Sequence, residues 1–216
     1  MSRIRVIMLS MLAVFAVSAV ASASASAAAD VWTVAGKTVE GTEKVSVVSE
    51  AAGQVAWKLG WNTFGVECKK ATLNGGLLEK EGKASASSIA FEECTVTSPA
   101  KECEVEGKTI TSSAGTGVGE TSGTKHLLKI TPTGGTFATF KLTGAGCGTA
   151  KGSHSAKGKV TCEAGESEAL VETEAVTHKL LCNVTTASKE LLVGEEPASL
   201  SGEGGLKLGS GALWSA

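Results

Sequence analysis

The stretch "FEECTVTSPAKECEVEG" (residues 91–107) carries two cysteines nine positions apart, Cys94 and Cys103, among Glu, Lys, Thr and Val. Its alternating polar and β-branched residues predict a β-strand that ends in a turn. The spacing differs from the close Cys-x-x-Cys arrangement of redox pairs and zinc sites. We therefore interpret both cysteines as partners in structural disulfides.

The beginning of the chain has the three parts of a secretory signal peptide. Arg3 and Arg5 give a short basic start, and the apolar run 6–20 is followed by Ala-x-Ala sites that end at Ala27 and Ala29. We predict a signal peptide over residues 1–29, with an uncleaved anchor helix as the alternative. The mature chain would be secreted or held at the cell envelope, and no later apolar stretch is long enough for a membrane span.

The cysteines all lie after this segment, and an even number in an exported chain predicts a disulfide framework. The six are Cys68, Cys94, Cys103, Cys147, Cys162 and Cys182. Few large apolar side chains follow the signal segment, so a core of this composition gains from cross-links.

An internal echo suggests how the cysteines pair. Residues 94–102 read "CTVTSPAKE" and residues 182–190 read "CNVTTASKE", each with another cysteine upstream. If the two segments are equivalent, the bridges are Cys68–Cys94 and Cys162–Cys182, which leaves Cys103 with Cys147. The rival arrangement is a short hairpin bridge between Cys94 and Cys103, and six cysteines allow fifteen pairings in all.

Short alternating runs separated by Gly and Ser predict an all-β fold, a β-sandwich or a barrel-like single domain over residues 30–216. Two Gly-, Ser- and Thr-rich stretches, 112–125 and 144–159, are predicted to be flexible loops. Residues 166–184 suit either one helix or two strands, and the alternation of Val and Thr favours strands. The predicted strands are 31–50 (two strands around Gly41), 53–70 (broken near Gly60), 87–98, 103–113, 126–133, 136–144, 158–163 and a closing pair within 199–214.

Composition argues against several classes of partner. After the signal segment the chain has no Arg, Met or Tyr, its only Asp is Asp30, and loss of Arg3 and Arg5 makes the net charge of −2 more negative by two. Nucleic-acid binding uses a basic surface, and bidentate phosphate recognition uses the guanidinium group. Calcium loops depend on several Asp residues. We therefore predict no nucleic-acid partner and no cofactor.

Phosphate-binding and nucleophilic motifs are incomplete. Residues 36–38 and 107–109 both read Gly-Lys-Thr, but each lacks the upstream glycine of a phosphate-binding loop. His154 lies between Ser153 and Ser155, where a solvated loop histidine is the alternative to a catalytic one.

A zinc site is equally incomplete. His178 and Cys182 have a plausible ligand spacing, and His126 and Cys103 would have to join them through the fold. Exported cysteines are usually oxidised. The sequence therefore predicts no catalytic, cofactor-binding or metal-ligating residue.

Two further groups have both a functional and a structural interpretation. Paired glutamates at 92–93, 102/104/106 or 166/168 could serve glycoside hydrolysis, but a row of glutamates on one strand is usually a solvated face. Trp57 and Trp61 would form a sugar-stacking platform if both were exposed. Burial is the alternative, because the chain has few other large core residues.

Several short motifs together resemble secreted, cysteine-containing β-rich proteins of high-GC Gram-positive bacteria. They are Trp-x-Val-x-Gly at 32–36, "ECKK" at 67–70, "FEEC" at 91–94 and the Gly/Ser-rich C-terminal strand. The resemblance implies an exported β domain and carries over no catalytic residue. We expect a non-enzymatic structural or interaction module, with a carbohydrate-binding module or a glutamate-dependent hydrolase as alternatives.

The first prediction concerns the mature protein. Intact mass spectrometry of the exported chain should give a mass that starts at Ala28 or Asp30, and thiol alkylation should add nothing. Six alkylatable thiols together with an added metal mass would contradict the disulfide interpretation.

Overall fold

A computed structural model describes residues 28–29, 31–40, 45–50, 57–98, 102–122, 125–164, 178–210, 212 and 214–215. Apart from three short 3₁₀ helices, the regular structure in these residues is β, which confirms the predicted fold class. The strands are β1 (Ala28–Ala29), β2 (Thr33–Val34), β3 (Lys37–Thr38), β4 (Val45–Glu50), β5 (Trp57–Trp61), β6 (Phe64–Asn74), β7 (Gly76–Leu78), β8 (Lys83–Ala86), β9 (Ser88–Ser98), β10 (Glu104–Val105), β11 (Thr109–Ser112), β12 (Gly115–Ser122), β13 (Lys125–Pro132), β14 (Thr136–Thr143), β15 (Gly152–Gly158), β16 (Val160–Ala164), β17 (His178–Val184), β18 (Leu191–Val193), β19 (Glu196–Leu208) and β20 (Trp214–Ser215). The 3₁₀ helices are η1 (Glu106–Lys108), η2 (Thr133–Gly135) and η3 (Ala145–Ala150).

The strands close into an eight-stranded antiparallel barrel. Most of its eight long strands are interrupted once: β4 continues as β5, β6 as β7, β8 as β9, β11 as β12, β13 as β14, β15 as β16 and β17 as β18. Each long strand pairs with the next one along the chain. The barrel closes because the last strand, β19, pairs with β4 and β5 at the beginning. Of the two architectures predicted from sequence, the barrel is the one found.

One end of the barrel, here called the cap end, is covered by the beginning of the described chain. Strands β2 and β3 form a hairpin, and β20 pairs with β2 in a separate small sheet. The side chain of Trp32 precedes this hairpin, is buried, and packs with Val39, Leu78 and Leu208. Its Nε1–H donates a hydrogen bond to the carbonyl oxygen of Lys83, 2.7 Å away. The indole therefore closes the apolar interior at this end.

The opposite end, here called the loop end, carries the connections 102–108, which contain β10 and η1, and 144–151, which contain η3. The disulfide Cys103–Cys147 joins these two connections, and both of its cysteines are buried. The other two disulfides, Cys68–Cys94 and Cys162–Cys182, each link residues that are directly opposite on neighbouring strands. The pairing predicted from the internal echo is thus confirmed, and the rival Cys94–Cys103 bridge is wrong.

The two similar segments, 94–102 and 182–190, also share a structural feature besides their cysteines. The segments end at Glu102 and Glu190, whose carbonyl oxygens accept hydrogen bonds of 2.9 Å from the amides of Gly146 and Lys159. In both places a glycine with positive φ, Gly144 at +107° or Gly158 at +109°, packs directly against that carbonyl. A Cβ atom on either glycine would overlap the carbonyl oxygen.

The predicted flexible loops at 112–125 and 144–159 are wrong, because they contain the strands β12 and β15. Within β12, Gly117 and Gly119 are buried, while Thr116 and Val118 are exposed. A Cβ atom on Gly117 would lie 2.8 Å from Cδ1 of Leu128. Glycine in this strand therefore permits close packing inside the barrel. From composition alone, the segment was predicted to be a loop.

Other boundaries differ by a few residues. The strand break predicted near Gly60 is the turn at Asn62–Thr63, where Asn62 has a positive φ of 47°. The predicted closing strand pair within 199–214 is one long strand, β19, followed by β20. Of the stretch with two interpretations, 178–184 is a strand, and 165–177 lies outside the described residues.

We predict that Gly144→Ala and Gly158→Ala each lower the free energy of unfolding by about 3 kcal/mol or more, because a positive φ and an overlap with a backbone carbonyl act together. The matched control is Gly134→Ala, since Gly134 has a φ of +76° and nothing within 4 Å of the added carbon. Backbone strain alone should make that variant about 1–2 kcal/mol less stable. Urea unfolding followed by tryptophan fluorescence measures the three values, and equal losses in all of them would contradict the packing argument.

Candidate functional site

The tryptophans considered as a sugar platform lie inside the barrel. Trp61 is 5% exposed, stacks on Phe64 with ring centroids 5.6 Å apart, and meets Phe140 edge to face at 5.5 Å. Trp57 is half-buried and meets Phe91 edge to face at 5.4 Å. The two indoles therefore belong to the core, as the burial alternative predicted, and they form no exposed pair.

Where its residues are described, the barrel interior is closely packed. An apolar cavity of about 20 Å³ remains, lined by side chains that include Trp57, Phe91 and Phe137. This volume is close to that of a single water molecule, and an apolar lining offers water no hydrogen bond. Among the described residues, this cavity is too small for an organic ligand.

His154 is on strand β15 and its ring faces the core. The imidazole stacks on Phe140 at 5.5 Å, and Nε2–H donates a hydrogen bond to the carbonyl oxygen of Ala150 at 2.7 Å. Neighbouring residues of a strand point to opposite faces, so Ser153 and Ser155 point away from the ring. The three side chains are not a catalytic constellation, and the prediction of a loop histidine is also wrong, since His154 packs within a strand.

The cysteines considered as metal ligands are not free thiols. Cys182 and Cys103 are both in disulfides. Among the residues that the structure describes, no three His, Cys, Asp or Glu side chains are grouped as metal ligands. The side chain of His178 lies outside the described ones.

The outer surface has one distinctive place, where "ECKK" on β6 meets "FEEC" on β9. Cys68 and Cys94 are buried and face each other across the two strands. Lys69 and Lys70 follow Cys68, and Glu92 and Glu93 precede Cys94. All four side chains lie toward solvent, so the usual alternation between core-facing and solvent-facing side chains is broken here. Glu93 has a φ of +54°, so the backbone irregularity is located there. The doubled charges beside each cysteine thus mark a local change in which side chains face the core.

These charges form an ion-pair cluster. The ammonium group of Lys70 contacts Oε1 of Glu93, and Nζ of Lys69 is 3.9 Å from Oε2 of the same carboxylate. The hydrogen bond from Lys70, and then its charge, lowers the pKa of Glu93, and Glu93 in turn raises the pKa of Lys70. Because a general acid for glycoside hydrolysis requires a raised pKa, Glu93 is unsuited to that role.

The remaining candidate carboxylates are separate. Glu102, Glu104 and Glu106 are all exposed, as expected for a solvated face, and Glu106 pairs with Lys141 at 2.7 Å. Glu166 and Glu168 lie outside the described residues.

A groove of about 440 Å³ lies beside the ion-pair cluster, and its lining includes Lys69, Glu92, Glu93, Thr95, Gly107 and Lys108. The groove lies where the pairing between neighbouring strands is interrupted. Strand β11 pairs with β9 only from Glu92 toward the cap end, and β10 pairs with β14 instead. Strand β10 pairs with β14 and also packs close to β9. One edge of residues 93–98 is therefore left without a partner strand in the described part of the chain.

Two sequence features lie at this site, although neither of them locates it. Adjacent like charges next to a cysteine, Lys69–Lys70 and Glu92–Glu93, break the alternation expected of a regular strand. The Gly-Lys-Thr at 107–109 leads from η1 into a strand and not into a helix, which agrees with its rejection as a phosphate-binding loop.

Comparisons with protein-family models, with curated proteins and with solved structures found no match. Within the described ranges, no helix is long and apolar enough to cross a membrane.

We predict that Lys70→Met raises the pKa of Glu93 toward its ordinary value of 4.5, because the dominant hydrogen bond is lost. Lys58→Met is the matched control, since Lys58 pairs with Glu67 on the neighbouring strands at 3.5 Å. That control should leave the pKa of Glu93 unchanged.

Carbon-detected NMR titration of the glutamate carboxyls measures both variants. Because the pKa of Glu93 is lowered by folding, any stability from this pair is present above pH 4.5 and is lost as the pH falls through the folded value. An unmoved Glu93 titration in Lys70→Met would disprove the assigned cause.

Proposed function

We propose that this protein is an exported β-barrel that acts outside the cytoplasm, secreted or at the cell envelope, as a non-enzymatic interaction module. The observation that carries the proposal is the combination of a core that is closely packed among the described residues with a groove of about 440 Å³ on the outer surface beside β9. A filled barrel is a rigid support, and rigid supports position surface binding sites well.

Three disulfides are compatible with an oxidising compartment outside the cytoplasm. The segment 1–29 supports export by its sequence pattern, and the resemblance to secreted β proteins of high-GC Gram-positive bacteria points the same way. Small domains with weak cores use disulfides to remain folded where chaperones are absent.

The two alternatives receive less support from the geometry. A carbohydrate-binding module usually stacks sugars on exposed aromatic rings, and Trp57 and Trp61 are in the core. A glutamate-dependent hydrolase requires one carboxyl held protonated near neutral pH, and the pKa of Glu93 moves in the opposite direction. The interaction module needs neither feature.

Site-specific photocrosslinking in the producing cells tests the proposal. A photoreactive benzoylphenylalanine at Thr95, exposed in the groove, should give a discrete crosslinked product in the extracytoplasmic fraction. The matched control is the same residue at Thr116, which is also an exposed strand threonine but is paired on both sides. Absence of a specific product at Thr95, or equal products at both positions, would argue against an interaction module that uses this groove.

A further inference from the structure

The chain contains three asparagines, and they differ in the residue that follows each of them. Asn74 precedes Gly75, whereas Asn62 and Asn183 precede the β-branched residues Thr and Val. An asparagine side chain cyclises when the backbone nitrogen of the next residue attacks its side-chain carbonyl carbon. Glycine has no Cβ atom and leaves that nitrogen unhindered, while a β-branched side chain crowds it. Asn74 is therefore the asparagine whose sequence best permits this reaction.

Gly75 connects β6 to β7 at a point where its nitrogen is accessible. It is the single residue between the two strands, and it is exposed. Its φ of +60° lies in the left-handed region, which glycine adopts without steric cost. In the described part of the chain, the N–H of Gly75 donates no hydrogen bond. The strand ladder thus does not hold the attacking nitrogen.

The side-chain amide of Asn74 is held by one contact among the described residues. Its Nδ2–H donates a hydrogen bond of 3.2 Å to Oγ of Ser88, and this contact is exposed. An exposed hydrogen bond of this kind exchanges with water at little net cost.

The backbone of Asn74 is at the end of the β6–β9 ladder. Asn74 is opposite Ser88 in the last pair, and its carbonyl oxygen accepts a 2.9 Å hydrogen bond from the amide of Ser87. The ends of elements open more readily than their centres. Opening of this terminal pair lets the side chain of Asn74 reach the nitrogen of Gly75.

We propose that Asn74 is a site of spontaneous deamidation, with water as the reactant. The nitrogen of Gly75 loses its proton to a solvent base and attacks Cγ of Asn74. The C–N bond that forms replaces the Cγ–Nδ2 bond, and Nδ2 leaves as ammonia. Water then hydrolyses the cyclic imide at one of its two carbonyl carbons. The products at position 74 are aspartate and isoaspartate, and no electron is transferred to or from another molecule.

The isoaspartate product alters the path of the main chain, because it inserts the side-chain carbon Cβ into the backbone between β6 and β7. Strand β7 contains three residues and pairs with β4 and β8. Its residue Leu78 is buried in the same cluster as Trp32, at the cap end. Isoaspartate at position 74 therefore displaces a short strand that supports this packing, whereas aspartate leaves the backbone unchanged and adds an exposed charge.

Peptide mapping by mass spectrometry tests the site on the folded, oxidised protein after incubation at mildly alkaline pH. Conversion of the Asn74 amide to a carboxyl group should be about tenfold faster, or more, than conversion at Asn62 or Asn183, because only Asn74 precedes glycine. Asn74→Gln is the matched control, because it keeps the amide but would have to form a larger ring, and position 74 should then stay unconverted. An intact Asn74 amide, or equal conversion at the three asparagines, would overturn the proposal.

The same incubation in guanidinium chloride measures the contribution of the structure. The rate at Asn74 should change by less than about tenfold on unfolding, since the folded chain leaves the nitrogen of Gly75 unengaged. Asn183 is the internal control, because it is paired with Ser201 within β17, and folding should slow its conversion. Suppression of the Asn74 reaction by folding to the same extent as at Asn183 would show that the site is protected and would overturn the proposal.

Hydrogen exchange tests the effect on β7. Protection of the Leu77 and Leu78 amides should fall in the isoaspartate product and stay unchanged in Asn74→Asp, which carries the charge without the altered backbone. Equal protection in the two forms would contradict the displacement of β7. The groove lining does not include Asn74, so these results leave the proposed interaction module unaffected.

Discussion

The structure depends on closure of the barrel by β19. This strand pairs with β17 and β18 on one edge and with β4 and β5 on the other, so it joins the end of the chain to its beginning. Closure satisfies the backbone groups of strands that would otherwise be exposed edges. It also fixes the interior volume, so each inward side chain must fit that volume. Gly202 on β19 illustrates the constraint, because a Cβ atom there would overlap the indole of Trp57.

The disulfides support this closed wall in two ways. Cys68–Cys94 and Cys162–Cys182 tie neighbouring strands across non-hydrogen-bonded positions, where the Cα atoms are 3.9 and 4.0 Å apart. Cys103–Cys147 instead ties two connections at the loop end. The first two reinforce pairs that already exist. The third links Cys103, which directly precedes β10, to Cys147 in η3, and so ties together two turns that no strand pairing joins.

Sequence patterns predicted most of the fold and little of the site, for identifiable reasons. Alternation located β9 at 87–98 against the observed Ser88–Ser98, and the Cys-x-Val-Thr echo predicted all three disulfides. The glycine-rich residues 115–122 lie in a predicted loop but form strand β12. Composition does not distinguish a glycine that makes room for Leu128 inside a barrel from a glycine in a loop. The groove depends on which strands do not pair, and that is a property of the closed topology and not of any local segment.

The location of the groove follows from the same physical requirements that hold the barrel together. The interior cavity that the described residues line is apolar and about 20 Å³, whereas the groove on the outer surface is about 440 Å³. The groove lies where β10 pairs with β14, so that the pairing of β9 with β11 ends at Glu92. Next to the groove-lining residues Glu93 and Thr95, Cys94 is buried and is bridged to Cys68 on β6. The groove is therefore lined by a strand whose position is fixed from inside the barrel, and a rigid support of this kind lowers the ordering cost of binding at a surface.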